Sequence, residues 1–202
     1  MKKMLIIGLT GQTGAGKSTV SEILEKYGCY HIDADKVAHD ILENNKEVQK
    51  KLKERFGEDI TDKSGKIDRK ILAARAFADK DSTLALNAIT HPAVNNEIQN
   101  IILKQKEYGT KAVIIDAIAL FESGEAKICD YTVAVIAPRD VRLERIIARD
   151  KISVSRANER INAQKDESFF TLNADYIINN CEPYNIYDET EKLAYKLKLK
   201  KE

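Results

Sequence analysis

The sequence predicts an α/β protein: a parallel sheet of five strands with helices on both faces. Three observations carry that prediction. First, Gly11-Gln12-Thr13-Gly14-Ala15-Gly16-Lys17-Ser18 fits the phosphate-binding pattern Gly-x-x-x-x-Gly-Lys-Ser/Thr at every fixed position. Second, the octapeptide sits between an apolar run, Met4 to Leu9, and a segment with Val20, Ile23 and Leu24 on one helical face. Strand, glycine loop and helix are the context this motif requires, so the sheet is of the P-loop NTPase type. Third, short apolar segments recur along the chain with helical patterns between them, which implies parallel strands covered on both faces.

The strands are expected at Leu5–Thr10, Cys29–Asp33, Ala112–Asp116, Tyr131–Ala137 and Tyr176–Ile178. Roughly 78 residues separate the second from the third, far more than a crossover needs. They read as helical. Val37, Ile41, Val48, Leu52 and Phe56 form one apolar line, and Ile71, Leu72 and Phe77 another. His91-Pro92 marks a break, because the residue before proline avoids the α region. A helix then restarts with Pro92 in its first turn and Val94, Ile98, Ile101 and Ile102 inward. This excess is an inserted helical subdomain, suited to contacts with an acceptor substrate. A second insertion follows the fourth strand. It carries Arg139, Arg142, Arg145, Arg149, Arg156 and Arg160, with Leu143, Ile146 and Ile147 as the apolar face of its first helix. Arg142, Arg145 and Arg149 are expected to share the opposite face, as phosphate-binding forks or as a solvated face paired with Glu144 and Asp150. The chain thus divides into a core (1–35, 110–138, 166–202), an insertion (36–109) and a lid (139–165) within one domain. Lys196 to Glu202 reads as a fraying helix tail.

Composition narrows the function. With 202 residues, 43% hydrophobic and 32% charged, the chain suits one sizeable core. A net charge of +1 provides no general field for nucleic acid or anionic membrane, and no apolar run approaches a membrane span. Met1-Lys2-Lys3-Met4 imitates a signal peptide but leads directly into the first core strand. Cys29, Cys129 and Cys181 lie far apart, which suggests reduced thiols in the cytoplasm rather than a disulfide framework or zinc site.

The loop places a polyphosphate. Backbone N–H groups of Gly14, Ala15, Gly16, Lys17, Ser18 and Thr19, with the positive end of the helix dipole, would cradle it. Lys17 would reach the β/γ-phosphates and the Ser18 hydroxyl would ligate Mg²⁺. Asp33 and Asp35 close the second strand, where ligands of open α/β sheets bind. Asp33 could take a proton from an attacking hydroxyl, or cap the next helix; Asp35 suits the cap better. Asp116 ends the third strand, the position of an acidic partner to Mg²⁺, or serves as a turn residue. Glu122 could serve the same site or cap a helix. His31, His39 and His91 are not at metal-ligand spacing; His91 could touch substrate or hydrogen-bond at a helix start.

No guanine-reading Asn-Lys-x-Asp follows a late strand: Asn45-Lys46 continues into Glu47-Val48, and Asp62-Lys63-Ser64-Gly65 reads as a turn. No transporter signature such as Leu-Ser-Gly-Gly-Gln occurs. A small kinase of a nucleotide or other metabolite remains, with a slowly hydrolysing regulator as the reading from another class.

The residues then resemble one family, the dephospho-CoA kinases, from Ile7 to about Asn180. The resemblance rests on Gly8-Leu9-Thr10-Gly11 with Gly14 to Val20, Ile32-Asp33-Ala34-Asp35 and Leu86 to Pro92. It continues through Leu120-Phe121-Glu122, Arg145, Arg149-Asp150, Arg160-Ile161, Gln164 and Ala174 to Asn180. It implies transfer of the ATP γ-phosphoryl to the ribose 3′-hydroxyl of dephospho-CoA, giving coenzyme A and ADP. It implies a nucleoside-monophosphate-kinase-like core of five parallel strands, with 36–109 as the CoA-binding region. Asp33 matches the family's proposed base, and Arg149 a lid arginine that meets ATP phosphates. Arg145 lies in the same lid pattern, and Asp35 and His91 on the substrate side. Two departures stand out. Ile118-Ala119-Leu120 replaces the family's usual Pro-Leu-Leu, and Cys181 follows Asn180 where glycine is usual.

Overall fold

The computed structural model describes residues 3–62 and 64–201. Met1 and Lys2, Lys63 of the expected Asp62–Gly65 turn, and Glu202 of the expected tail lie outside them. The chain forms two compact units, Met1–Ile32 with Lys104–Glu202, and Asp33–Leu103.

The first unit is organised by a five-stranded parallel sheet. Its strands are β1 (Leu5–Gly11), β2 (Cys29–Asp33), β3 (Ala112–Asp116), β4 (Tyr131–Ile136) and β5 (Tyr176–Asn179), in the order β2-β3-β1-β4-β5. β1 is central, with Ile7 opposite Ile114 on β3 and opposite Tyr131 on β4. Ala112 to Ile115 are fully buried, as the continuous apolar run requires when both faces are covered. On one face, Ile7, Leu9, Ile114, Val133, Val135 and Ile178 form a core with α1 (Lys17–Glu25) and α9 (Ile186–Lys196). Val20, Ile23 and Leu24 of α1 enter it at helical spacing, as do Leu193 and Ala194 of α9. On the other face the chain after β3 comes very close: a methyl on Gly8 would lie 2.7 Å from Leu120 and 2.8 Å from the Cys129 sulfur. After β4, α6 (Arg139–Asp150) and α7 (Val154–Asn162) share a small core of Ile146, Ala157 and Ile161, flanked by Leu143, Ile147 and Ile152. α8 (Glu167–Asn173) leads into β5. The tail does not continue as a helix: α9 ends at Lys196, and Leu199 is buried in the sheet core.

The second unit is helical: α2 (Ala34–Asn44), α3 (Lys46–Phe56), α4 (Arg69–Ala76) and most of α5 (Lys80–Glu107). It shares residues 36–103 with the expected insertion. Val48, Leu52, Phe56, Ile60, Leu72 and Ala76 form its core. Three expectations are corrected here. The first apolar line is two helices, because the Asn45 side chain accepts from Glu47 N–H and Val48 N–H and starts α3 anew. Phe77 is 66% exposed: it caps α4 instead of lining it. The break at His91-Pro92 is absent, and α5 runs through Pro92 for 28 residues. A proline inside a helix removes one i→i−4 hydrogen bond, and here the helix continues with Val94 and Ile98 buried just beyond it.

Candidate active site

The site is built from the loop between β1 and α1. Gly14 sits at φ +79° and Gly16 at φ +108°, in the left-handed region that glycine enters without strain. Space forbids a side chain as well: a methyl on Gly14 would lie 2.8 Å from the Arg142 carbonyl oxygen, and one on Gly16 2.3 Å from Asn180 Nδ2. Gly16 precedes the first turn of α1, so no carbonyl of that helix can take the Lys17 and Ser18 N–H groups. Those groups and the helix dipole make this end an anion cradle. Lys17 Nζ folds over the loop and donates to Gly11 O at 3.3 Å. Ser18 is exposed on the first turn and Thr19 half-buried behind it.

The loop is braced from outside. Ala15 N–H donates to Gln12 O (3.1 Å). Asn180 Nδ2, just past β5, donates to Ala15 O at 2.7 Å. Arg145 on α6 reaches the same carbonyls, with Nη1 3.4 Å from Gly14 O and 3.5 Å from Ala15 O, and Nη2 3.2 Å from Asn180 O. Arg145 therefore lies against the loop's carbonyl side. The non-glycine residues with positive φ are Lys151 and Lys198 among the described residues, so Cys181 after this brace does not enter the left-handed region.

Of the four arginines of α6, the three expected on one face, Arg142, Arg145 and Arg149, do not share one environment. Arg142 is 5% exposed; its Nε donates to Ala137 O at 3.0 Å, and burial, then the nearby Arg139, pushes its pKa down. Arg145 is half-buried. Arg149 is exposed and forms a two-point pair with its neighbour Asp150, Nε to Oδ1 at 2.7 Å and Nη2 to Oδ2 at 3.0 Å. Arg160 on α7 closes on the same Asp150 carboxylate. The bond from Arg149 holds the Asp150 carboxyl below the usual carboxylate range.

Asp116 ends β3 opposite Leu9 of β1, and the next residue, Ala117, donates N–H to Leu9 O at 3.0 Å. His31 on β2 brings Nε2 to 3.6 Å from Asp116 Oδ2 and Nδ1 to 3.6 Å from Glu25 Oε1. Glu122 is exposed, in the turn before a short 3₁₀ segment at Glu125–Ile128.

In the second unit, Asp33 and not Asp35 caps α2. Its side chain accepts from Lys36 N–H at 3.0 Å and pairs with Lys36 Nζ at 3.2 Å. The helix begins at Ala34, directly after the strand and two residues earlier than a cap at Asp35 would allow, which places Asp35 in its first turn. His91 lies in the middle of α5, half-buried, and burial lowers its pKa.

The dephospho-CoA kinase family model matches residues 5–184, nearly all of this architecture. The chain belongs to the dephospho-CoA kinase family. It is an ATP-dependent kinase of the P-loop class, in the family that catalyses the last step of coenzyme A biosynthesis. A dephospho-CoA kinase of Fusobacterium nucleatum is 42% identical over 95% of this chain and 97% of its own length. One from Corynebacterium diphtheriae is 37% identical over 96% of each. Among solved structures, TT1252 from Thermus thermophilus superposes with a TM-score of 0.84 at 29% identity, covering 97% of this chain and 98% of its own. The Campylobacter jejuni dephospho-CoA kinase gives 0.69 at 30% identity, over 95% and 96%. Shikimate kinase from Bacteroides thetaiotaomicron, at 19% identity and a TM-score of 0.53, shares the fold. Among the described residues, no helix is long and apolar enough to cross a membrane.

Sequence reasoning gave His31 no part in this site and Gln12 none beyond a variable position of the loop motif, because each acts through partners distant in sequence. Asn180 and Gln164 entered only through the resemblance.

Proposed function

We propose that the enzyme moves the γ-phosphoryl group of ATP to the ribose 3′-hydroxyl of dephospho-CoA, releasing ADP and coenzyme A. The hydroxyl oxygen bonds to the γ-phosphorus while the bond from that phosphorus to the β,γ-bridging oxygen breaks. The hydroxyl proton passes to Asp33. The observation that carries this reading is the glycine loop that opens α1, in a chain that belongs to this family.

Catalysis in this class is mostly positioning and charge neutralisation. The amides of Gly14 to Thr19 bind the phosphates, and Lys17 offsets the charge that develops on the transferring group. Arg149 supplies a further cation once its fork leaves Asp150, and Arg145 holds the loop that receives the nucleotide. Asp33 ends β2, and ligands of open parallel sheets bind beyond the carboxyl ends of strands. Asp35 and His91 are proposed as acceptor-side contacts.

Mg²⁺ belongs to this reading. Ser18 Oγ and the Asp116 carboxylate are hard oxygen donors, and Mg²⁺ typically takes one or two such protein ligands together with phosphate oxygens and water. Among the described residues, no group of three or more His, Cys, Asp and Glu side chains gathers to hold a metal. When bound, the ion would neutralise β/γ-phosphate charge. Three free thiols, Cys29, Cys129 and Cys181, suit the reducing cytoplasm in which we place the enzyme.

The test is an acceptor panel. Pure protein with ATP and Mg²⁺ is expected to release ADP with dephospho-CoA, and not with nucleosides or nucleoside monophosphates. Release with a nucleoside instead, or no acceptor dependence, would sink the reading. Asp33→Asn is expected to cut kcat about a hundredfold or more, as loss of a general base does, with a smaller rise in the acceptor KM. Near-normal kcat in that variant would remove Asp33 from the role.

A further inference from the structure

The peptide group between Gln12 and Thr13 is held from both sides. Its carbonyl accepts Ala15 N–H at 3.1 Å, inside the loop. Its N–H, carried by Thr13, donates to Gln164 Oε1 at 2.8 Å. Gln164 stands two residues past the end of α7, where the chain leaves the α6–α7 pair. The Gln12 side chain returns the contact: Nε2 donates to Lys165 O at 3.2 Å. Gln12 is 4% exposed, and its Oε1 has no hydrogen-bond partner among the described residues. Two residues of the loop are thus joined to two consecutive residues of the exit segment by reciprocal amide hydrogen bonds, one of them from a buried side chain. Such bonds strengthen in low dielectric, and a buried amide that loses its partner is costly.

We infer that Gln164 is a positioning residue for the phosphate loop, acting through Thr13, and that Gln12 completes the same joint. The Gln12–Thr13 peptide lies one residue ahead of Gly14, whose φ of +79° sets the bend of the loop. Rotating that peptide would break both of its hydrogen bonds and re-aim the amides that follow. Fixing it in advance spares the nucleotide the ordering of the loop. ATP affinity therefore depends on the exit segment being in place. That segment is continuous with α7, which packs on α6 through Ile146, Ala157 and Ile161. This inference rests on the reading of the loop as the ATP site and adds a residue to it.

The test uses the full-length enzyme with Gln12→Ala, Gln164→Ala, Gln164→Glu and the double variant Gln12→Ala/Gln164→Ala. Loss of one hydrogen bond predicts a rise of about fivefold in the ATP KM for Gln164→Ala. The dephospho-CoA KM should stay within about twofold, since that contact is not on the acceptor side. Gln164→Glu keeps an oxygen at the same reach, so the Thr13 amide should stay protected from hydrogen exchange, whereas in Gln164→Ala it should exchange faster. The double variant should cost less than the product of the two single effects, because both residues serve one joint. An unchanged ATP KM in Gln164→Ala would overturn the inference. So would an equal rise in both KM values with a lowered Tm, which would mean general loosening. Should Gln164→Ala not fold, rapid exchange of the Thr13 amide in the wild-type enzyme without nucleotide would overturn it alone. Failure of the kinase reading is seen separately, as absence of dephospho-CoA-dependent ADP release by wild type; amide exchange and titration with a fluorescent ATP analogue still decide the joint.

Discussion

Gly16 carries two constraints at once, a φ of +108° and Asn180 Nδ2 standing where a methyl would go. Gly16→Ala must therefore accept left-handed strain of about 1–2 kcal/mol and push Asn180 off Ala15 O. Both costs fall on the nucleotide cradle, so we expect ATP affinity to drop by about tenfold or more, with the fold retained. Titration with a fluorescent ATP analogue reads this directly, and an unchanged Kd would show that the brace from Asn180 is dispensable. Single residues were legible in the sequence to different degrees. Lys17 and Ser18 lie on the loop and helix that the motif implied, because adjacent residues fix one another's geometry. For the cap of α2 the sequence favours Asp35 over Asp33, and the cap is Asp33. Both are aspartates with the same capping preference, and only where the helix begins after the strand decides between them. His31, beside Asp116 and Glu25, was invisible because its partners lie on another strand and on a helix.

At the scale of elements, α6 and α7 are fastened to each other at Asp150, which takes the Arg149 fork and Arg160. The Asp150 carboxyl is held below its ordinary range, chiefly by the bond from Arg149. A depressed folded pKa contributes stability above the unfolded value of about 3.9, and that contribution is lost as pH falls through the folded value. Asp150→Asn should thus be less stable than wild type near neutral pH, with the difference closing once the pH falls below the ordinary carboxylate range. Urea midpoints measured from neutral to acid pH check this, and a difference independent of pH would assign the effect to packing. The elements themselves were readable to the extent that period and length reveal them. All five strands appear where apolar runs predicted, β2 and β3 with the same limits. Inside the helical insertion the reading failed where one residue governs continuity. Asn45 ends one helix and starts another, whereas Pro92 does neither. A proline is a strong local signal, but Leu86 and Ile89 pack on the helical core before it and Val94 and Ile98 are buried after it, and packing on both sides of a lost hydrogen bond keeps one helix.

For the whole molecule, the chain maintains separate apolar cores: the sheet with α1 and α9, and the helical core around Leu52 and Leu72. The nucleotide loop belongs to the first. A ligand that binds only the folded state stabilises it by mass action, about 2.7 kcal/mol at a hundred times Kd. For a chain of this length each kcal/mol moves Tm by roughly 2–4 °C, so saturating ATP should raise the melting of the sheet-containing unit by roughly 5–10 °C. In the proposed reading Lys17 gives the phosphates a charge-assisted bond, and such bonds contribute about 1.5–3 kcal/mol. Its loss in Lys17→Ala weakens binding about tenfold to a hundredfold, so the same ATP concentration leaves a shift of only about 1–5 °C. Scanning calorimetry of both proteins with and without ATP measures the two shifts on one scale. Equal shifts would mean that ATP is held without the lysine, and the charge assigned to the loop would then have to come from the arginines of α6 and α7.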